Sequence, residues 1–405
     1  MSYFKSFLAC LRRFLAHLLR LLPGNSTFIG PPRHIINSTP LFVKDLGSLD
    51  NTSCKFYQLE PKRSISRQFP FFADDQIAES FYNMKIGYIK EQFVAQLSSG
   101  RYWGRTYGYI INAGDCLHRD LSPSLEDITY DNFLSHRHDG LSQPLLPPLR
   151  HVSGLVAAIN TPFSYNFHHW LLDCVPKFGL LKTAGFELSG IDHFILAPPT
   201  APWHLEVLRY LDIPLEKVIF SSPRLHICAD SLIVPSFSEP SRQPEKFNYT
   251  PEGLHFVRNL ILGQSTVTKS YPEKIVISRE RTSCRRLIDA DTIHLHLESY
   301  GFTKVILEDH SLAEQAMIFN SAKIIIMPTG GGLANLVFCR QNTRVIELFS
   351  PYYLPTFSLL LANTLGLQYI ALVGDKFRRS STKHEEGVSQ DIHIPLERLV
   401  KHIYD

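Results

Sequence analysis

The sequence predicts an α/β protein with two α/β domains behind an amphipathic N-terminal helix. Three observations predict it. Five short apolar runs alternate with helix-patterned segments through the C-terminal half, which is the rhythm of a doubly wound parallel sheet. A second βαβ rhythm occupies residues 152–235. A separate stripe of 3.6-residue period covers residues 4–22.

The totals fit this picture. A chain of 405 residues implies about two to three domains. Apolar residues make up 44% and charged residues 20%, enough to bury large cores. A net charge of +3 argues against a protein that coats nucleic acid, which needs a dense basic face. Seven scattered cysteines without a CxxC pair give no zinc or redox motif, and a reducing compartment is the simplest reading.

In the N-terminal stripe, Phe4, Phe7, Leu8, Leu11, Leu15, Leu18 and Leu22 share one face, with Lys5, Arg12, Arg13, His17 and Arg20 opposite. Pro23-Gly24 stops it. The run is too charged to span a bilayer, and basic residues break the apolar part that a secretory signal needs. One reading docks this helix on the protein's own surface. The other lays it on an anionic membrane at the cytoplasmic face. A mitochondrial targeting peptide is a weaker third reading.

Residues 76–97 read as a helix, 104–120 as a hairpin turning at Ala113-Gly114-Asp115, and 121–150 as a long loop. A buried strand at 152–159 leads into a helix at 164–182. Then come strand 194–196, helix 202–211, strands near 217–220 and 231–235, and a connecting helix at 251–263. The C-terminal strands are placed at 274–278, 303–308, 323–327, 344–348 and 368–373. The helices between them are placed at 289–299, 311–320, 332–339 and 355–366, and 395–404 ends the chain. This gives four segments: helix 1–24, a domain at 25–265, a second domain at 266–385, and a terminal helix at 386–405.

Three constellations carry candidate chemistry. In Asn166-Phe-His-His169-Trp-Leu-Leu-Asp173, positions 166, 169 and 173 share a helical face among apolar neighbours. His169 and Asp173, four apart, can form a base with its orienting carboxylate, or equally a satisfied core pair with Asn166 as a cap. Ser278-Arg279 through Arg285-Arg286 follows the first C-terminal strand, where ligands bind such sheets. Guanidiniums suit a diphosphate there. Thr329-Gly330-Gly331-Gly332-Leu-Ala-Asn335 is a glycine-rich strand-to-helix turn that can admit an anion. It matches neither the dinucleotide fingerprint nor the Walker loop. Glu347 at a strand end can accept from a ribose, and Asp289-Ala-Asp291 at a helix start reads as a cap rather than a metal motif.

Taken together, these motifs resemble glycosyltransferase family 61, the DUF563 group, over roughly residues 100–375. The matching stretches are Asn166 to Pro176, Ile277-Ser-Arg279 with Arg285-Arg286-Leu-Ile, and Glu308 to Leu348, including Glu314-Gln315. The resemblance implies a GT-B-like architecture of two facing Rossmann-like domains with a cleft between them. The N-terminal domain holds the acceptor and the C-terminal domain holds the nucleotide. It implies an inverting transferase that moves a hexosyl or pentosyl group from a nucleotide sugar, typically a UDP-sugar, to a hydroxyl of a glycan or lipid-linked saccharide, as in polysaccharide biosynthesis. His169 and Asp173 become the catalytic candidates. Arg279, Arg285, Arg286, Thr329, Gly330, Gly331, Gly332, Asn335 and Glu347 become donor-side candidates, with Asn166, Glu308 and Gln315 in support. No cofactor and no metal is required, because cations and a helix dipole can hold the diphosphate. One departure stands out: the family loop usually begins Pro-His-Gly-Ala, and here it is Pro328-Thr329-Gly330-Gly331. Threonine carries no charge, which leaves open an inactive relative that binds glycan or nucleotide sugar within an assembly complex.

Overall fold

The structure is a computed structural model, and it describes residues 2–21, 30–46, 54–67, 84, 86–104, 108–123, 138–237, 247–264, 269–376 and 389–404. The expected segments 76–83 and 124–137, and the side chains of Phe4, Lys5, Arg20 and Leu22, lie outside the described residues. The chain divides into two compact units, residues 1–61 with 91–237 and residues 62–90 with 238–405.

The first unit opens with α1 (Ser2–Leu21), β1 (His34–Ile36), α2 (Thr39–Leu46) and β2 (Cys54–Glu60). The chain then contributes β3 (Arg63–Ser66) and β4 (Ile86–Ile89), an antiparallel pair, to the second unit. It returns as β5 (Gln92–Ser98), β6 (Arg101–Trp103), β7 (Tyr109–Ile111) and β8 (Cys116–His118). The helix expected at 76–97 is corrected by these strands: β4 and β5 occupy its C-terminal part. Phe93, Val94, Ala95 and Leu97 are buried, and β5 pairs on both edges, with β2 and with a later strand. So long a buried run has no exposed helical face to keep. The hairpin of β7 and β8 forms around the anticipated turn, with Ile111 opposite Leu117.

Beyond Arg150 the order is β9 (Arg150–Ala158), α3 (Phe167–His169), α4 (Pro176–Thr183), β10 (His193–Leu196), α5 (Pro202–Tyr210), β11 (Val218–Phe220) and β12 (His226–Pro235). Among the described residues this unit holds one ten-stranded mixed sheet, with main order β1-β8-β7-β6-β12-β9-β10-β11. β12, β9, β10 and β11 run parallel, as do β1 and β8 at the sheet's other end. On its other edge the long β12 takes β6 along His226–Cys228 and β5 along Ser231–Pro235, both antiparallel. The βαβ rhythm is thus real, and hairpins extend it into a mixed sheet rather than a fully parallel one. Phe93, Leu97, Tyr102, Val156, Ile195, Ile227 and Leu232 form its main core.

The second unit carries α6 (Pro251–Leu262), β13 (Lys274–Ser278), α7 (Ala290–Ser299), β14 (Thr303–Ile306), α8 (Leu312–Ser321), β15 (Ile324–Pro328), a 3-10 helix (Gly331–Phe338), β16 (Arg344–Phe349), α9 (Phe357–Leu365), β17 (Gln368–Val373) and α10 (Leu396–Tyr404). The five strands β13 to β17 are all parallel, in the order β14-β13-β15-β16-β17. The strand order reverses between β13 and β15, so the ligand crevice of such a sheet falls at their C-terminal ends. Val276, Ile326, Ile346 and Ile370 face a core closed by α7 and α10 through Ile293, Leu297, Leu399 and Ile403. Ser311 and Glu314 form a capping box on α8, and Thr250 caps α6 ahead of Pro251.

The unit division falls between 237 and 238 rather than at 265/266, because α6 packs with the second unit. Arg258 donates to the carbonyls of Val337 (3.1 Å) and Cys339 (2.6 Å) and to Asn320 (2.8 Å), filling acceptors that the 3-10 helix leaves open at its end.

Candidate active site

In the first unit, Asn166 caps α3 by accepting from the His168 amide at 3.0 Å. The chain then opens into a π-turn, Trp170–Cys174, in which the Val175 amide reaches back to the Trp170 carbonyl at 2.9 Å. Pro176 explains this: without an N–H it cannot continue the α ladder, and it begins α4 instead. The single helix expected at 164–182 is therefore three pieces. Such π-bulges often mark functional sites.

The turn carries the expected pair. His169 Nδ1 lies 2.7 Å from Asp173 Oδ2, with the Asp173 side chain 2% exposed and that of His169 20%. A buried carboxylate fixes the Nδ1–H tautomer and leaves Nε2 as an acceptor. Neighbouring His168 is buried, and desolvation pushes it down to about 3, so it stays neutral. Phe163 sets its ring 5.4 Å from His169 with a backbone φ of +56°, strained for so bulky a residue. No sequence pattern flagged Phe163.

In the second unit, Arg279 follows β13 and Gly330 follows β15, so both stand at the switch point. Arg279 Nε and Nη2 each donate to the Cys284 carbonyl at 3.3 Å. Its Nη1 lies so close to Gly330 that a Cβ there would stand 2.1 Å away. Burial, then Arg285, lowers the pKa of Arg279, though a guanidinium keeps its charge. Behind the turn, Asn335 donates to Gln315 Oε1 at 2.9 Å, and Gln315 donates to the carbonyls of Leu307 (3.0 Å) and His310 (3.1 Å). This side-chain bridge ties the glycine turn to the loop after β14. Glu308, on that loop, is exposed and acts on Arg279 through its charge.

The arginines do not converge on one point. Arg285, at φ +55°, holds its guanidinium over the Tyr353 ring at 5.3 Å. Arg286 is engaged by Asp391 at 3.1 Å. Glu347 does not end its strand. β16 runs on to Phe349, and Glu347 is fully buried with Thr329 and Asn335. Its carboxylate accepts from Ser358 and from Tyr369 (2.6 Å), with the Thr329 side chain alongside. Burial pushes its pKa up to about 7 against these contacts. In this structure Thr329, Asn335 and Glu347 support the turn from behind, while Gly331 and Gly332 are its partly exposed members. Asp289 stands at the N-cap position of α7, but with φ +56° and no side-chain cap bond, so it does not cap the helix as the sequence suggests.

Among the described residues no helix is long and apolar enough to cross a membrane. No curated protein matches the chain. The family model described as glycosyltransferase 61 matches residues 167–346, a stretch that takes in His169, Asp173, Arg279 and the glycine turn and stops one residue short of Glu347. Over residues 167–346 the chain is therefore similar to glycosyltransferase family 61, and glycosyl transfer is the general activity that this match supports.

Proposed function

We propose that the chain is an inverting glycosyltransferase that takes a sugar from a nucleotide-sugar donor, in the first instance a UDP-sugar, and passes it to a hydroxyl of a glycan or lipid-linked saccharide. The observation that carries this reading is the Arg279 guanidinium lodged against Gly330 at the switch point of the parallel sheet. A cation and the amides of a glycine turn together suit a diphosphate that gains charge as it leaves. In this reading Nε2 of His169 takes the acceptor proton and Asp173 stabilises the resulting imidazolium. The acceptor oxygen bonds to the anomeric carbon from one face as the carbon–oxygen bond to the β-phosphate breaks on the other. The nucleoside diphosphate departs with that electron pair, and no metal is needed in this scheme.

The proposal also seats the enzyme on the cytoplasmic face of a membrane. Supporting this, α1 exposes Phe7, Leu8, Leu11, Phe14, Leu15, Leu18 and Leu21, and Arg12 and Arg13 are exposed on the same helix.

A second reading, an inactive relative that binds nucleotide sugar or glycan in a polysaccharide-assembly complex, is favoured by one observation. Thr329 is buried beside Glu347 and offers no charge to a donor. Release of nucleoside diphosphate from a panel of nucleotide sugars separates the two. The transferase turns over at least one donor in the presence of acceptor, whereas the binder turns over none.

A further inference from the structure

A cavity of about 460 Å³ opens at the C-terminal end of β13, beside the first turn of α7. Its wall is completed by Asp391, in a segment pinned to the loop after β13: the Ile288 amide donates to the Ile392 carbonyl at 2.9 Å, and the Ile392 amide to the Arg286 carbonyl at 2.8 Å. Arg279 lines the same cavity, so its guanidinium is shared between this space and the glycine turn.

The charges in the wall sort into engaged and available groups. Arg286 and Asp391 engage each other, and Glu280 is engaged by Lys304 and Ser278. The Asp289 side chain makes no cap bond, and Asp291 adds a second carboxylate in the first turn of α7. His294, one turn further on, is only 4% exposed, and neither ring nitrogen has a hydrogen-bond partner. Leaving buried polar atoms unpaired costs about 1–3 kcal/mol each, so such an imidazole calls for a ligand. Desolvation lowers its pKa and keeps it neutral, so it offers one donor and one acceptor.

This inventory selects the ligand. Two available carboxylates repel a phosphate at this end of the cavity. Among the described residues no three His, Cys, Asp or Glu side chains come together as a metal cage. Carboxylates and a neutral imidazole match a pair of neighbouring hydroxyls, which donate to the first and exchange hydrogen bonds with the second. Acidic residues recognise ribose in the same chemical way in other doubly wound folds. We propose that this cavity seats the vicinal diol of the donor nucleotide's ribose, held by Asp289 and His294, while Arg279 at its rim takes the diphosphate. The assignment rests on the donor reading above and names the part of the donor bound here.

The test is calorimetric titration of the full chain with UDP, with 2′,3′-dideoxy-UDP and with inorganic pyrophosphate. Each is repeated on Asp289→Asn and His294→Leu, and histidine-selective NMR follows the imidazole signals. UDP binds the wild type roughly ten-fold or more tightly than the dideoxy compound, the loss expected for a hydrogen bond to a charged group. The exposed Asp289→Asn substitution removes most of that preference without changing the melting temperature, and pyrophosphate binding is untouched in both variants. Equal affinity of the wild type for UDP and dideoxy-UDP overturns the diol assignment and leaves the diphosphate reading standing. Failure of UDP and of pyrophosphate to bind overturns both. A free monosaccharide that shifts the His294 signal as strongly as UDP shows that the diol belongs to a saccharide and not to the nucleotide.

Discussion

Gly330→Ala is the smallest perturbation that reaches the donor side. The added Cβ would stand 2.1 Å from Arg279 Nη1 and 2.9 Å from its Cζ, well inside contact distance. The glycine is not needed for backbone freedom, because its φ of 162° is extended backbone open to any residue. The clash is therefore the whole effect. Arg279 cannot simply swing away without breaking its two 3.3 Å bonds to the Cys284 carbonyl. A displaced guanidinium loses a charge-assisted hydrogen bond to the diphosphate, worth about 1.5–3 kcal/mol, or roughly ten- to a hundred-fold in affinity. Calorimetric titration with UDP reads this directly, and Arg279→Ala sets the scale with a loss of the same size. Gly190→Ala serves as the control, since nothing lies within 4 Å of its added Cβ. If Gly330→Ala and Arg279→Ala bind UDP as the wild type does, neither residue holds the diphosphate and the donor argument fails.

Three further outcomes follow from the same geometry. Asp173→Asn keeps the shape of the 2.7 Å contact to His169 but loses its charge, and turnover should fall roughly ten- to a hundred-fold with UDP affinity unchanged. A loss confined to UDP affinity would point away from an orienting role. For Glu347, the folded state holds its proton up to a pKa of about 7, while an unfolded carboxyl releases it near 4.5. The folded state therefore binds more protons between those values, and its stability falls as pH rises through that window, by about 3 kcal/mol in all. Glu347→Gln cannot ionise, so denaturant melts should show it gaining on the wild type by about that amount between pH 4.5 and 8. Parallel profiles would remove the buried-proton account. Finally, the full chain should float with anionic liposomes in a salt-sensitive way, and a version lacking residues 1–24 should not, since each surface cation contributes about 1 kcal/mol. Equal flotation of both, or none by either, rules out the anchor.

The second unit was largely legible because a parallel sheet buries both faces of each strand. Lys274–Ser278 and Gln368–Val373 were bounded to the residue, and the other three strands to within two. The first unit was harder to read. Its strands pair with partners far along the chain, as β5 does with β12, and a short apolar run such as Gln92–Ser98 fits helix or strand until its neighbours are known. The His169–Asp173 contact followed from helical spacing even though the segment is a π-turn, because i and i+4 stay on one side across the bulge. The fate of the donor-side residues was not legible. Sequence order places Thr329, Asn335 and Glu347 beside the turn, but only packing decides that they lie behind it. His294 gave no signal, because one histidine on the inner face of a helix reads as core.

The measurement that tests the central claim most directly compares His169→Ala with the wild type in two assays side by side: UDP binding, and release of UDP from its best nucleotide-sugar donor in the presence of acceptor. A general base contributes about 10²- to 10⁴-fold. The account predicts that the variant binds UDP within about two-fold of the wild type, a change under ~0.5 kcal/mol, while its turnover falls by at least the lower of those factors. Turnover at the wild-type rate in His169→Ala would contradict it.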